Sequence, residues 1–77
     1  MNNIYEFDKD LCKLFGNRIG LALKRGNVDF LTLYTWYMEN RFYIETKKIR
    51  GIGTMSRYIM FQYFLQNYRK KAIEVYL

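Results

Sequence analysis

Ile49-Arg50-Gly51-Ile52-Gly53-Thr54-Met55-Ser56 is the stretch of this chain whose residue types and spacing best suit chemistry. That chemistry is recognition of an anion. Two glycines, two residues apart, allow positive backbone torsions and close approach of the chain to another molecule. Ile49 and Ile52 are spaced to pin the turn to a core. The amides from Gly53 through Thr54 to Ser56 then point outward at a helix N-terminus, where the dipole favours a phosphate. Ser56 adds a hydroxyl donor, and Arg50 and Arg57 add positive charge. Contacts of this kind address a nucleic-acid backbone, so base preference is expected to be weak and salt dependence marked. The competing reading is a tight interhelical turn with no ligand. The flanking isoleucines, the following Thr and Ser and the two arginines favour backbone binding.

Other chemistry lacks candidates. The chain has no histidine and a single cysteine, Cys12, which excludes an internal disulfide and a cysteine-histidine zinc cluster. Cys12 has no histidine base and reads as a small core residue. Asp8 and Asp10 point in different directions on a helix and, with Glu6, read as a solvated acidic start. No catalytic residue, metal or cofactor is expected. No run approaches the ~20 apolar residues of a membrane span, so a cytosolic protein is the simple reading.

The elements that position the turn follow from composition and periodicity. The chain of 77 residues is 51% hydrophobic and 19% aromatic, enough for one dense domain and too much for a disordered tail. With 13 basic and 7 acidic residues its net charge is +6, which draws it to polyanions. Phe7, Leu11, Leu14 and Phe15 predict a first helix from Tyr5 to Phe15, broken by Gly16-Asn17. Ile19, Ala22 and Leu23 predict a second, closed by Lys24-Arg25 and a left-handed cap at Gly26.

From Val28 to Ile49 two readings stay open. Asp29 can cap one helix and Asn40 can open another that reaches Lys48. Thr32, Tyr34, Thr35, Trp36, Tyr37, Phe42, Tyr43 and Ile44 instead favour strands, with Met38-Glu39-Asn40-Arg41 as a hairpin turn. After Gly53, the repeat of Phe61, Leu65, Tyr68, Ala72 and Val75, widened by Met60 and Phe64, predicts one long helix. Gln62, Gln66, Arg69 and Lys70 are expected toward solvent. The basic run Arg69-Lys70-Lys71 reads as a solvated helix end. Tyr34, Trp36, Tyr37, Phe42 and Tyr43 are either core or a stacking platform. If Trp36 and Tyr37 are exposed, they mark a partner surface.

The apolar-x-Gly-apolar-Gly spacing is that of a helix-hairpin-helix turn. Together with Asn17-Arg18-Ile19-Gly20-Leu21-Ala22-Leu23-Lys24-Arg25-Gly26-Asn27-Val28, it resembles the C-terminal domain of the bacterial RNA polymerase alpha subunit. The resemblance runs roughly from Leu11 to Leu65. It implies an all-α fold of four or five helices, and so favours helix in the middle segment. It also implies a function in transcription: Arg18 would enter the minor groove of A/T-rich duplex DNA, and Gly53 and Ser56 would hold phosphates. Lys24 and Arg25 would serve the flanking backbone. A narrow minor groove concentrates the negative potential that attracts arginine.

Two positions depart from the family. Leu21 stands where the family has an asparagine, and Met55 where it has a lysine. The connection from Val28 to Gly51 is also longer, with atypical aromatics. Apolar groups at Leu21 and Met55, with Trp36 and Tyr37, suit the alternative of a protein-interaction module holding RNA polymerase, a transcription regulator or another partner.

Overall fold

The computed structural model describes residues 9–68. Five helices follow in order: α1 (Leu11–Phe15), α2 (Asn17–Arg25), α3 (Phe30–Met38), α4 (Phe42–Thr46) and α5 (Thr54–Asn67). There is no strand among the described residues, and the fold is all-α.

The middle segment is two helices, and the reason lies at their ends. The Asp29 carboxylate accepts the Thr32 amide at 2.9 Å and starts α3. The Thr32 side chain first, and this amide bond second, hold the Asp29 pKa below its ordinary value by favouring the charged form. At the far end Asn40 takes φ 60°, the Arg41 amide donates to Trp36 O at 2.8 Å, and the Asn40 amide to Tyr37 O at 3.3 Å. This pair of bonds around a left-handed residue is a helix stop. Between the ends, Phe30, Leu33 and Tyr37 recur at helical spacing and all are buried. Face-wise burial overrides the strand preference of the aromatics. Asn40 therefore ends α3 and does not open α4, which begins only at Phe42. In α4 the buried Thr46 hydroxyl donates to Phe42 O at 2.6 Å, so it is satisfied within its own helix.

Helix α2 ends at Gly26 as its sequence suggests and by the same device, but with the left-handed residue one position later. Gly26 has φ −89°, and the left-handed residue is Asn27 at φ 58°. Val28 N donates to Leu23 O at 2.9 Å and Asn27 N to Lys24 O at 3.0 Å. Gly26 is instead a contact point: a Cβ there would lie 3.5 Å from Ile49 Cγ2.

Helix α1 begins at Leu11, not at Tyr5, because Asp10 is its cap, accepting the amides of Cys12 at 3.0 Å and Lys13 at 3.4 Å. Tyr5, Glu6, Phe7 and Asp8 lie outside the described residues. Helices α1 and α2 cross at Gly20, where a Cβ would stand 2.7 Å from both Cα and N of Cys12.

The core joins Ile19, Ala22 and Leu23 of α2 to Phe30, Leu33 and Tyr37 of α3, Phe42 of α4, and Met60 and Phe64 of α5. Phe64 is its hub, with ring centroids 5.2 Å from Phe30, 5.5 Å from Tyr37 and 5.9 Å from Phe42. Such ring pairs add about 0.5–1.5 kcal/mol each beyond burial. The inward stripe of α5 is Ser56, Met60 and Phe64, with Phe61 and Leu65 at its flank. The expected stripe centred on Phe61 and Leu65 is displaced by about one position. The cause is that α5 carries apolar residues outward as well, at Met55, Tyr58 and Ile59, so periodicity alone does not select a face. Gln66 is exposed and Gln62 half-buried, while Ala72, Val75 and the basic residues from Arg69 to Lys71 lie outside the described residues.

Candidate functional site

Between α4 and α5 the chain makes a turn from Ile49 to Ile52, closed by the Ile52 amide on Ile49 O at 3.2 Å. Gly51, its third residue, has φ 89°, the conformation for which glycine is the default there. Ile52 is buried and Ile49 half-buried, so both fasten the turn to the core. The turn rests on α2: a Cβ on Gly51 would be 3.3 Å from Ala22 Cβ and 3.8 Å from Arg25 Nη2. Arg25 and the turn are thus neighbours.

Only one of the two glycines needs positive torsion. Gly53 sits at φ −97°, ψ −172°, an ordinary N-cap conformation, and a Cβ there would meet nothing within 4 Å. What glycine contributes at Gly53 is the lack of a capping side chain. Helix α5 has no side-chain cap, and its first internal bond is Arg57 N to Gly53 O at 3.0 Å. The amides of Thr54, Met55 and Ser56 precede it. The guanidinium of Arg57 lies over this first turn, with Nη2 donating to Thr54 Oγ1 at 3.4 Å.

The surroundings are electropositive because the acids are occupied. Asp10 and Asp29 cap α1 and α3, while Glu39 and Glu45 both bind Arg41. These are all the carboxylate side chains among the described residues. The Glu45 carboxyl is held below its ordinary pKa, first by the hydrogen bond from Arg41 and further by Lys48. Among the described residues only Arg41 and Lys48 have carboxylate partners, leaving Arg18, Lys24, Arg25 and Arg50 unpaired and exposed.

The remaining candidate residues divide. Arg18, Leu21 and Arg25 share one exposed side of α2 by their three- and seven-residue spacing. Met55 is 69% exposed and Leu21 48%. The Ser56 side chain, in contrast, faces the core at 5% exposure, which leaves its hydroxyl little access to the surface because α5 turns that side inward. Tyr37 is fully buried between Phe61 and Phe64, so it is a core residue and no part of a partner surface. Trp36, one residue earlier on α3, is half-buried.

Sequence reasoning overlooked Tyr58 and Ile59. Both are exposed and lie three and four residues after Met55, forming an apolar outer face on α5. That spacing was the available signal. No group of three or more potential metal ligands occurs among the described residues, and no helix there is long and apolar enough to cross a membrane. Comparison with known protein families, with curated proteins and with solved structures finds no match to the chain.

Proposed function

We propose that this chain is a non-enzymatic, cytoplasmic DNA-binding domain of the helix-hairpin-helix kind, similar to the C-terminal domain of the RNA polymerase alpha subunit. The observation that supports it is the seating of the Gly51 turn on Ala22 beside Arg25, followed two residues on by the uncapped start of α5 with Arg57 over it. A phosphate at that point accepts from the Thr54 and Met55 amides and is neutralised by Arg50 and Arg57. Arg18 reaches the minor groove of A/T-rich duplex, and Lys24 and Arg25 take flanking phosphates. Ser56 contributes its amide rather than its hydroxyl.

The test is a two-dimensional NMR titration with a short A/T-rich duplex at low and then physiological salt. Expected are shifts at Arg18 and from Gly51 to Arg57 that fade as salt rises. An unchanged spectrum at low salt overturns duplex binding.

The exposed side chains of Leu21, Met55, Tyr58 and Ile59 favour a second reading, a module that holds a protein of the transcription machinery. Polar substitutions at Leu21 and Met55 separate the two, sparing duplex binding under the first and abolishing partner binding under the second.

A further inference from the structure

Beside the turn, on the side facing α3, an open cleft of about 610 Å³ lies between α2, α3 and the α4–α5 connection. Its size falls within the roughly 300–1,000 Å³ of small-molecule sites. Arg25, Lys48 and Arg50 supply positive charge at its walls, Asn27 and Thr32 supply neutral hydrogen-bonding groups, and Trp36 supplies an aromatic face. Lys48 is tied to Glu45 at 3.5 Å, whereas Arg25 and Arg50 have no carboxylate partner among the described residues.

Trp36 is the telling residue. The other large aromatics of the core form a continuous ring network around Phe64, yet Trp36 stacks on no ring among the described residues. It is the only tryptophan of the chain, half-buried, with part of its surface lining a basic cleft. A flat π-face beside two unpaired guanidinium forks matches a ligand with a planar ring and an anionic group within a few bonds of it.

We propose that this cleft binds a nucleotide, with the base stacked on Trp36 and the phosphate held by Arg25 and Arg50. Asn27 and Thr32 face the base edge or the sugar. The nucleotide is either free or the end of a single strand, since both present the same base and phosphate. Duplex binding at the turn is not required for this site, although Arg25 and Arg50 border both.

The experiment reads Trp36 fluorescence while the whole chain is titrated with AMP, adenosine, inorganic phosphate and a 5′-phosphorylated single-stranded hexanucleotide. Expected is saturable quenching by AMP, with adenosine at least about tenfold weaker because it lacks the charge-assisted bonds, and none by phosphate alone. Tighter binding of AMP identifies a free nucleotide as the ligand; tighter binding of the hexanucleotide identifies a strand end. No saturable quenching by either at millimolar concentration overturns the proposal, as does equal quenching by adenosine and AMP. Lys48→Glu, an exposed change, is expected to weaken AMP at least about tenfold. Trp36→Leu, followed by NMR shifts at Asn27 and Lys48, is expected to lose AMP while keeping duplex-induced shifts from Gly51 to Arg57. A domain that binds duplex and not AMP overturns the cleft alone, and one that binds AMP and not duplex overturns only the backbone reading.

Discussion

With φ 89° and a Cβ position 3.3 Å from Ala22 Cβ, Gly51 is held by both torsion and space. Gly53, two residues on, is held by neither. Their substitutions should therefore behave oppositely. Gly51→Ala is expected to cost about 1–2 kcal/mol from the left-handed torsion, before any shift of α2 is counted. Gly53→Asp is expected to stabilise by about 0.5 kcal/mol, since it supplies the missing cap and suits the α5 dipole. The same carboxylate occupies the amides offered to a phosphate, so duplex affinity should fall about tenfold. Thermal melts and duplex titrations of the two variants check this. A Gly53→Asp protein that melts higher and binds duplex as well as its parent would remove the α5 amides from the interface. The sequence disclosed the glycine pair and its isoleucines but not the division of labour between them, because type and spacing carry no torsion. It likewise did not disclose that Ser56 turns inward.

Gly20 belongs to the scale of elements. A glycine inside a helix is disfavoured by about 1 kcal/mol relative to alanine, so Gly20→Ala on α2 alone should stabilise. The crossing of α1 reverses the sign, since the new Cβ would stand 2.7 Å from Cys12 backbone atoms that cannot swing aside. A net loss of about 2 kcal/mol is expected in denaturant melts. A gain would mean that α1 does not lie against Gly20. Which elements were legible follows the same logic of local against tertiary determinants. Helix α2 showed plainly in the spacing of Ile19, Ala22 and Leu23 and ends at Gly26 as its sequence suggests, but the left-handed residue is Asn27 rather than the glycine. Helices α3 and α4 were ambiguous because their aromatics favour strands, and only Asp29 and Asn40 hinted at the caps that decide the matter. The length of α5 was visible, but with Met55, Tyr58 and Ile59 on its outer face its inward side was not.

At the scale of the molecule, the described residues form a slab of 34 × 32 × 17 Å in which the carboxylates are all locally engaged. If the chain binds a duplex as proposed, the attraction arises from cations that have no carboxylate partner among the described residues. If Arg18, Arg25, Arg50 and Arg57 each displace a counterion, log affinity should fall against log salt with a slope of about −4, and Arg50→Ala should reduce that slope by about 1. A slope near zero would leave the interface to its apolar residues. The net positive charge was legible in the composition; the cleft was not, because Arg25, Trp36 and Arg50 meet only through the packing of three segments. The crossing at Gly20 has one more consequence. Helix α1 has five residues, too few to persist alone, and it packs chiefly on α2. It can therefore part from the remainder at less free energy than global unfolding requires. The Cys12 thiol lies against Gly20 and is half-buried, so parting of the two helices would expose it further. The single sulfur of α1 thus reports on that crossing, and its alkylation is expected to run faster in any variant that loosens α1 from α2.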